Sequence, residues 1–340
     1  MTQKIELLHR STLCPAIAIL DQIGAPTASL LRNERLPALG YDEPTGFVPT
    51  FSVWSLLDSA ARSQDIPDIG FRIAERVTIH RAARWGPKVV RAPTLHQAIL
   101  AMKTHVRSDM PNVEIEISIR GEEAWFQRRH DTECRHLPGY EFGEQYILGL
   151  MVQIVRLVEG ADWRPRQVTV QASEGQWRSG RPEFLREAHI DFQQTWTAFA
   201  LPRSALRRRL PSTHASQDWL PLPPAGELPA GDFLGSLCQA LTPLVHEREL
   251  TIDLGAEFVS TSERTLRRWL ASEGTSWRQV VDRVRCDAAL ELMADPARSL
   301  MDISLQVGYS QQAHFTRAFR RWMGESPSDY RRSGQRGDAG

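Results

Sequence analysis

The sequence predicts an α+β N-terminal domain, a helical front followed by an antiparallel sheet, joined to an all-α C-terminal domain with two helix-turn-helix units. Three observations predict it. Residues 113–119, Val-Glu-Ile-Glu-Ile-Ser-Ile, alternate apolar and polar without a break, the period of a half-buried strand, after a hundred residues of helical spacing. Between 211 and 232, Pro211, Pro221, Pro223, Pro224 and Pro229 stand among Ser, Gly and Ala, a composition that sustains no helix and reads as a linker. Beyond it, two amphipathic helices with arginine fronts each follow a short helix and a tight turn.

Length and composition agree with this division. A chain of 340 residues is long enough for two domains, each with its own core, and 24% charged with 41% hydrophobic residues is a globular profile. The formal net charge is zero, which argues against a protein that coats nucleic acid non-specifically but leaves room for a local basic face. Lysine occurs only at 4, 88 and 103, so the basic character is almost all arginine. Cys14, Cys134, Cys238 and Cys286 stand singly, without the close spacing of zinc or redox motifs, and read as reduced thiols of a cytoplasmic protein. No segment approaches the ~20 apolar residues of a membrane span, and the short apolar run 13–20 lacks a convincing cleavage site.

In chain order, short helices are expected at 17–23, 53–61 and 71–77, then one from Leu95 capped by Thr94 with Gln97. Strands follow at 113–119 and 124–129, a helix at 142–158, a strand at 167–171, a helix near 182–187, and strands at 190–192 and 195–201. Trp85, Trp125, Trp163, Tyr140 and Tyr146 are candidates for a ligand pocket, with core packing the stronger reading, and no effector residue is singled out.

In the C-terminal part, helix-turn-helix 1 is expected at about 251–272, a connecting helix at about 276–294, and helix-turn-helix 2 at about 299–322. In the second unit Ile303 and Val307 form the apolar stripe of the first helix, Gly308 supplies the positive φ of the turn, and Ser310 is placed to cap the second helix. On that second helix Phe315, Ala318, Phe319 and Trp322 share one face. Arg317 and Arg320 lie on the other, with His314 and Arg321 at its margin and Gln311 and Gln312 at its start. The first unit repeats this plan, with Arg264, Arg267 and Arg268 opposite Leu266 and Leu270. Such a front suits the major groove, where Arg and Gln make paired hydrogen bonds to base edges; the bland alternative is a solvated charged surface. The connecting helix, with Trp277, Val280, Val284, Ala288 and Leu292 at helical spacing, either holds the two units about one turn of DNA apart or only packs the core.

The order of residues decides between these readings. Gly308-Tyr309-Ser310, His314-Phe315, Arg317-Ala318-Phe319-Arg320-Arg321, Gly324, Ser326-Pro327 and Tyr330-Arg331 closely resemble the signature of the AraC/XylS family of bacterial transcription regulators. More weakly, 69–72, Gly86-Pro87, 92–98 and Trp163-Arg164-Pro165 resemble the arabinose-binding-like N-terminal regulatory domain of one subgroup. The resemblance implies an effector-sensing or dimerising domain over 1–210, a linker over 211–232, a DNA-binding domain over 233–334 and a disordered tail over 335–340. It implies contacts to promoter DNA through Arg264, Arg267, Arg268, Gln311, Gln312, His314, Arg317, Arg320 and Arg321, on a core that includes Leu266, Leu270, Ile303, Gly308, Phe315, Phe319 and Pro327.

By the same resemblance the partners are double-stranded promoter DNA, RNA polymerase, a small-molecule effector of unspecified identity and a second copy of the chain, with activation the habit of the family and the cytoplasmic nucleoid the location. No enzyme activity, cofactor, metal or membrane is expected. Against the family pattern, Ser260 stands where a turn glycine is usual, and Gly255 inside a helix is expected to cost about 1 kcal/mol relative to alanine. Two rivals stay open: a repair enzyme of the alkyl-transfer kind fused to a DNA-binding module, which needs a reactive cysteine, and a constitutive DNA binder whose front domain only dimerises.

Overall fold

A computed structural model describes residues 4–37, 45–130, 133–175, 177, 181–211, 228–246 and 250–337. It divides into two compact units, the larger over Glu6–Thr45 and Pro49–Pro229, the smaller over Ala230–Gly340 with the short segments Met1–Ile5 and Gly46–Val48. The expected linker lies largely outside the described residues, but the division falls within its span. The segments about Ile5 and Phe47, which the sequence assigns to the front domain, join the smaller unit: the Ile5 amide donates to the Ser236 hydroxyl at 3.2 Å. A few apolar residues carry no sign of which core they enter.

The larger unit begins with β1 (Leu7–His9), α1 (Cys14–Gln22) and α2 (Thr27–Asn33). After β2 (Phe47–Pro49), of which only Pro49 belongs to this unit, come α3 (Thr50–Gln64), α4 (Ile69–Arg76), α5 (Gly86–Val90) and α6 (Leu95–Asp109). Thr94 accepts the Gln97 amide and caps α6. Leu95, Ala98, Ile99, Met102 and Val106 then bury one stripe of that helix. The five-stranded sheet has the order β3 (Val113–Arg120), β4 (Glu123–His130), β7 (Thr197–Pro202), β5 (Gln167–Thr169), β6 (His189–Asp191). It is antiparallel except between β5 and β6, where a connection long enough to cross over makes the pair parallel.

Alternation in β3 means less than its regularity promises. Val113 and Ile115 are buried, but Ile119 is 47% exposed, so this edge strand runs past the packed part of the sheet. On β4 and β7, Phe126 pairs with Phe199, their ring centroids 5.7 Å apart, and Trp163 lies against Phe199. Between β4 and β5, α7 (Tyr140–Glu159) buries residues on all sides from Tyr140 to Val155, including Tyr146, Leu150 and Ile154. Where the sequence suggests a helix near 182–187 there is a single 3-10 turn, Glu183–Leu185; Pro182 and the strand beginning at His189 leave no room for more.

Two buried histidines tie this unit to pH. Burial, then the charges of Arg84 and Arg10, hold His9 down at about 3, and burial with Arg128 and Arg135 holds His130 well below the usual imidazole range. A folded-state value below the unfolded one gives stability that is complete above about pH 6.5 and lost as pH falls toward the folded value. For His9 the loss between pH 7.5 and 5 is expected to reach about 2 kcal/mol. Urea unfolding of wild type and His9→Asn at both pH values checks it: the variant should lose that share of the acid sensitivity, and an unchanged slope contradicts the assignment.

The smaller unit is helical: α8 (Phe233–Leu241), α9 (Ile252–Phe258), α10 (Glu263–Ser272), α11 (Trp277–Met293), α12 (Leu300–Gln306), α13 (Gln312–Met323) and α14 (Pro327–Gly337). Side-chain caps set five of the starts, with Asp232, Thr251, Ser262, Ser276 and Ser299 each accepting the amide three residues on. Ser326 does the same for α14, whose first residue, Pro327, is buried. That helix continues through 335–337, where a disordered tail is expected from the sequence; 338–340 lie outside the described residues.

Candidate nucleic-acid interface

Helices α9 and α10, and again α12 and α13, form two helix-turn-helix units that are similar in plan and different at the turn. Leu266 and Leu270 of α10 and Phe315, Ala318 and Phe319 of α13 are buried, as are Ile303 of α12 and its C-cap Val307. Apolar burial on one stripe of each helix therefore fixes which face looks outward. On the outward faces Arg264, Arg267, Arg268, Gln311, Gln312, His314, Arg317, Arg320 and Arg321 are all exposed.

These side chains are not equivalent. Arg264, Arg268 and Arg317 make no ion pair among the described residues. Arg267 meets Glu263 one turn earlier at 3.4 Å, an exposed pair of little worth. Arg321 is held: its guanidinium donates to both Asp282 oxygens, at 2.9 and 3.1 Å, across to α11. Asp282 is invisible to a sequence reading because the pair spans 39 positions.

The turns differ by one residue. From Val259, the C-cap of α9, to Ser262 is three positions; from Val307 to Gln311 is four. Gly308 takes φ +82° in the longer turn, and Ser260 takes φ +48° in the shorter one, the strained region that its place in the family pattern leads one to expect. The extra residue moves the N-cap of α13 from Ser310, where the sequence puts it, to Gln311, which makes no side-chain capping bond. Tyr309 occupies the added length. Its ring lies 6.0 Å from Phe315 and 6.2 Å from Trp322, with the Arg285 guanidinium of α11 5.0 Å from its centroid.

Helix α11 grips both units. At its start the Trp277 indole donates to the Leu250 carbonyl at 3.1 Å and lies against Gly255, where a Cβ would come within 2.4 Å of the ring. The glycine that costs helix propensity is thus the seat of the tryptophan, a long-range reason the local sequence does not contain. Further along, Asp282 and Arg285 reach α13 and the second turn, and Val284, Ala288, Ala289 and Met293 are buried. Gly255→Ala is expected to displace Trp277 and to destabilise the unit by about 1–3 kcal/mol, although alanine is the better helix former. Thermal unfolding of the variant checks it; a stabilised variant contradicts this packing.

Two families match the chain. One, described as a helix-turn-helix domain, covers residues 256–333. The other, described as the arabinose-binding domain of AraC transcription regulator, N-term, covers residues 24–210, more than half of the sequence. The chain belongs to the AraC family of transcription regulators. Its C-terminal helix-turn-helix domain is the DNA-binding part. Over nearly its full length this AraC-type chain is similar to the HTH-type transcriptional regulator VirS of Mycobacterium tuberculosis (strain ATCC 25618 / H37Rv), at 22% identity covering 96% of this chain and 97% of that one. Over 80 residues it is 42% identical to the ornithine utilization regulator of Pseudomonas aeruginosa, covering 24% of each chain. Among solved structures, the transcriptional regulator CdpR from Pseudomonas aeruginosa aligns over 90% of this chain and 96% of its own, with 18% identity and a TM-score of 0.39. No helix among the described residues is long and apolar enough to cross a membrane.

Proposed function

We propose that this AraC-type regulator is an effector-responsive activator that reads two successive major grooves, α10 in one and α13 in the next, with α11 setting the distance between them. The observation that carries the reading is the combination of buried backs with exposed arginine fronts on two helices gripped by one connector. Arg264, Arg268 and Arg317, free of protein partners among the described residues, are assigned to base edges together with Gln312. Gln311, His314, Arg267 and Arg320 are assigned to phosphates. Arg321, engaged by Asp282, is assigned chiefly to holding α13 on the connector, with any phosphate contact secondary.

The larger unit serves as the sensing and dimerising part, and a ligand that favours one of its conformations shifts how the reading helices are presented to promoter DNA and RNA polymerase. The action is that of a regulator in the cytoplasmic nucleoid and not of an enzyme. Supporting this, burial pushes the Cys14 and Cys286 thiols up and raises Cys238 to about 11, the opposite of what a nucleophilic cysteine needs.

Genome-wide footprinting with the purified full-length protein tests the reading. The expected result is protection at promoters over sites with two contact patches about one helical turn apart on one side of the duplex. No preference for any native promoter over scrambled DNA at moderate salt overturns it.

A further inference from the structure

The larger unit contains a cavity between the inner face of β4, the start of α7, and helices α1, α3 and α4. Trp54, Val53, Leu57, Ile73 and Ile147 form an apolar wall. The opposite wall is polar and buried: Arg128 is 4% exposed, His130 5% and Glu144 1%. Tyr140 and Tyr146 line it too, two of the five aromatic residues the sequence offers as pocket candidates.

Most of the polar wall is satisfied from within. Glu144 accepts the backbone amides of Gln171 and Ala172, at 2.6 and 2.9 Å, and the Thr197 hydroxyl. Gln171 in turn accepts the Tyr140 hydroxyl at 3.3 Å and the His130 amide at 2.9 Å. The Trp54 ring stands edge-on to His130 and Tyr140, centroids 5.4 and 5.2 Å away. Glu6, also in the lining, places an oxygen 3.6 Å from His130 Nε2.

Arg128 is the exception. Its neighbour Tyr140 bonds the guanidinium and the Glu144 charge acts on it, but Nε and Nη1 have no partner, and no carboxylate comes within ion-pair distance among the described residues. The Tyr146 hydroxyl and His130 Nδ1 are unpartnered as well. A buried guanidinium with open donors is among the costliest groups a fold can carry unless something else completes it. Burial keeps His130 neutral, and the Glu144 oxygens are engaged by the Gln171 and Ala172 amides and the Thr197 hydroxyl, so the open Arg128 donors are left for a ligand to answer.

We propose that this cavity is the effector site, and that the effector is a small organic carboxylate. Its carboxylate accepts from an open donor of Arg128 in a charge-assisted bond, Tyr146 donates a further bond, and its hydrocarbon part lies against Leu57, Ile73 and Ile147. Size limits the ligand. The cavity volume is about 50 Å³, where one water needs about 10–15 Å³. That is room for a chain of about two to four carbons as it stands. Phosphate and sulfate share the charge but not the affinity for an apolar wall.

The proposal rests on the regulator reading and is tested apart from it. Full-length protein is titrated with acetate, propionate and butyrate, with propionamide as the uncharged match and potassium chloride as the salt control, following thermal unfolding and tryptophan fluorescence. A saturable rise in Tm with propionate or butyrate, and none with propionamide, is the expected result. Arg128→Gln is expected to weaken binding roughly 10- to 100-fold, the loss of a charge-assisted pair, and Tyr146→Phe by less.

Propionamide binding as well as propionate, an Arg128→Gln variant with wild-type affinity, or no saturable carboxylate binding overturns the site assignment. If Arg128→Gln does not fold, the acid-against-amide comparison in the wild type and the Tyr146→Phe titration still decide. Promoter binding measured with and without ligand separates the two ideas. Carboxylate binding that leaves DNA affinity unchanged keeps the pocket and removes its effector role, whereas a neutral ligand that moves DNA affinity keeps the regulator and removes this pocket chemistry.

Discussion

Phe319→Ala is expected to destabilise the helical unit by about 3–5 kcal/mol and to abolish promoter binding. Phe319 is fully buried in α13, its ring among those of Phe315, Trp322 and Tyr330 at centroid distances of 5.7, 6.4 and 5.7 Å. Truncation removes the side chain that three other aromatic rings share, and these rings come from α13 itself and from α14, so little can collapse into the space. A single domain has only about 5–15 kcal/mol in total, so a loss of this size takes a large share of it. Urea unfolding of the full-length chain, followed by tryptophan fluorescence and circular dichroism, reads the shift.

The neighbouring Arg320→Ala is the control. It removes an exposed side chain and is expected to move stability by less than about 0.5 kcal/mol while weakening DNA binding. If Phe319→Ala were as mild as Arg320→Ala, the division of α13 into a packed back and an open front would be wrong.

That division was legible in the sequence because it is local. A helix of twelve residues shows its own faces, and Ser262 announces the start of α10 as clearly as Thr94 announces α6. What the sequence concealed is what arrives from far along the chain. Gly255 reads as a defect until Trp277 lies on it; Arg321 reads as one more basic side chain until Asp282 engages it. The first expected cap of α13, Ser310, failed for a related reason: Tyr309 is drawn toward Arg285 and the aromatic cluster, and the turn gains a residue.

The front domain was harder to read. Period-two alternation found β3 but not that its outer half lies in solvent, since alternation reports the geometry of a strand and not the extent of what covers it. Tyr140 and Tyr146 stood among the pocket candidates, yet Arg128, the side chain that gives the cavity its charge, occupies a strand position where arginine commonly faces water.

The largest effect on recognition is expected from removing Arg268 and Arg317 together. Matching the two units by their buried residues, Leu266 with Phe315 and Leu270 with Phe319, puts these arginines at the same place on α10 and α13, each exposed and without an ion pair among the described residues. If each reads a base edge, each alanine substitution costs about 1–3 kcal/mol, roughly 10- to 100-fold in affinity, and relaxes preference at one position of the operator. The helices belong to different units and share no contact through these side chains, so the two losses should add and bring binding close to the non-specific level.

Phosphate contacts leave a different signature. Replacing Arg267 or Arg320 should weaken every sequence alike and reduce the slope of log affinity against log salt by about one. Binding measured over a set of single-base operator variants, at several salt concentrations, distinguishes the two classes. A double variant whose loss is uniform across that set would place Arg268 and Arg317 on the backbone, and base reading would then fall to Arg264 and Gln312.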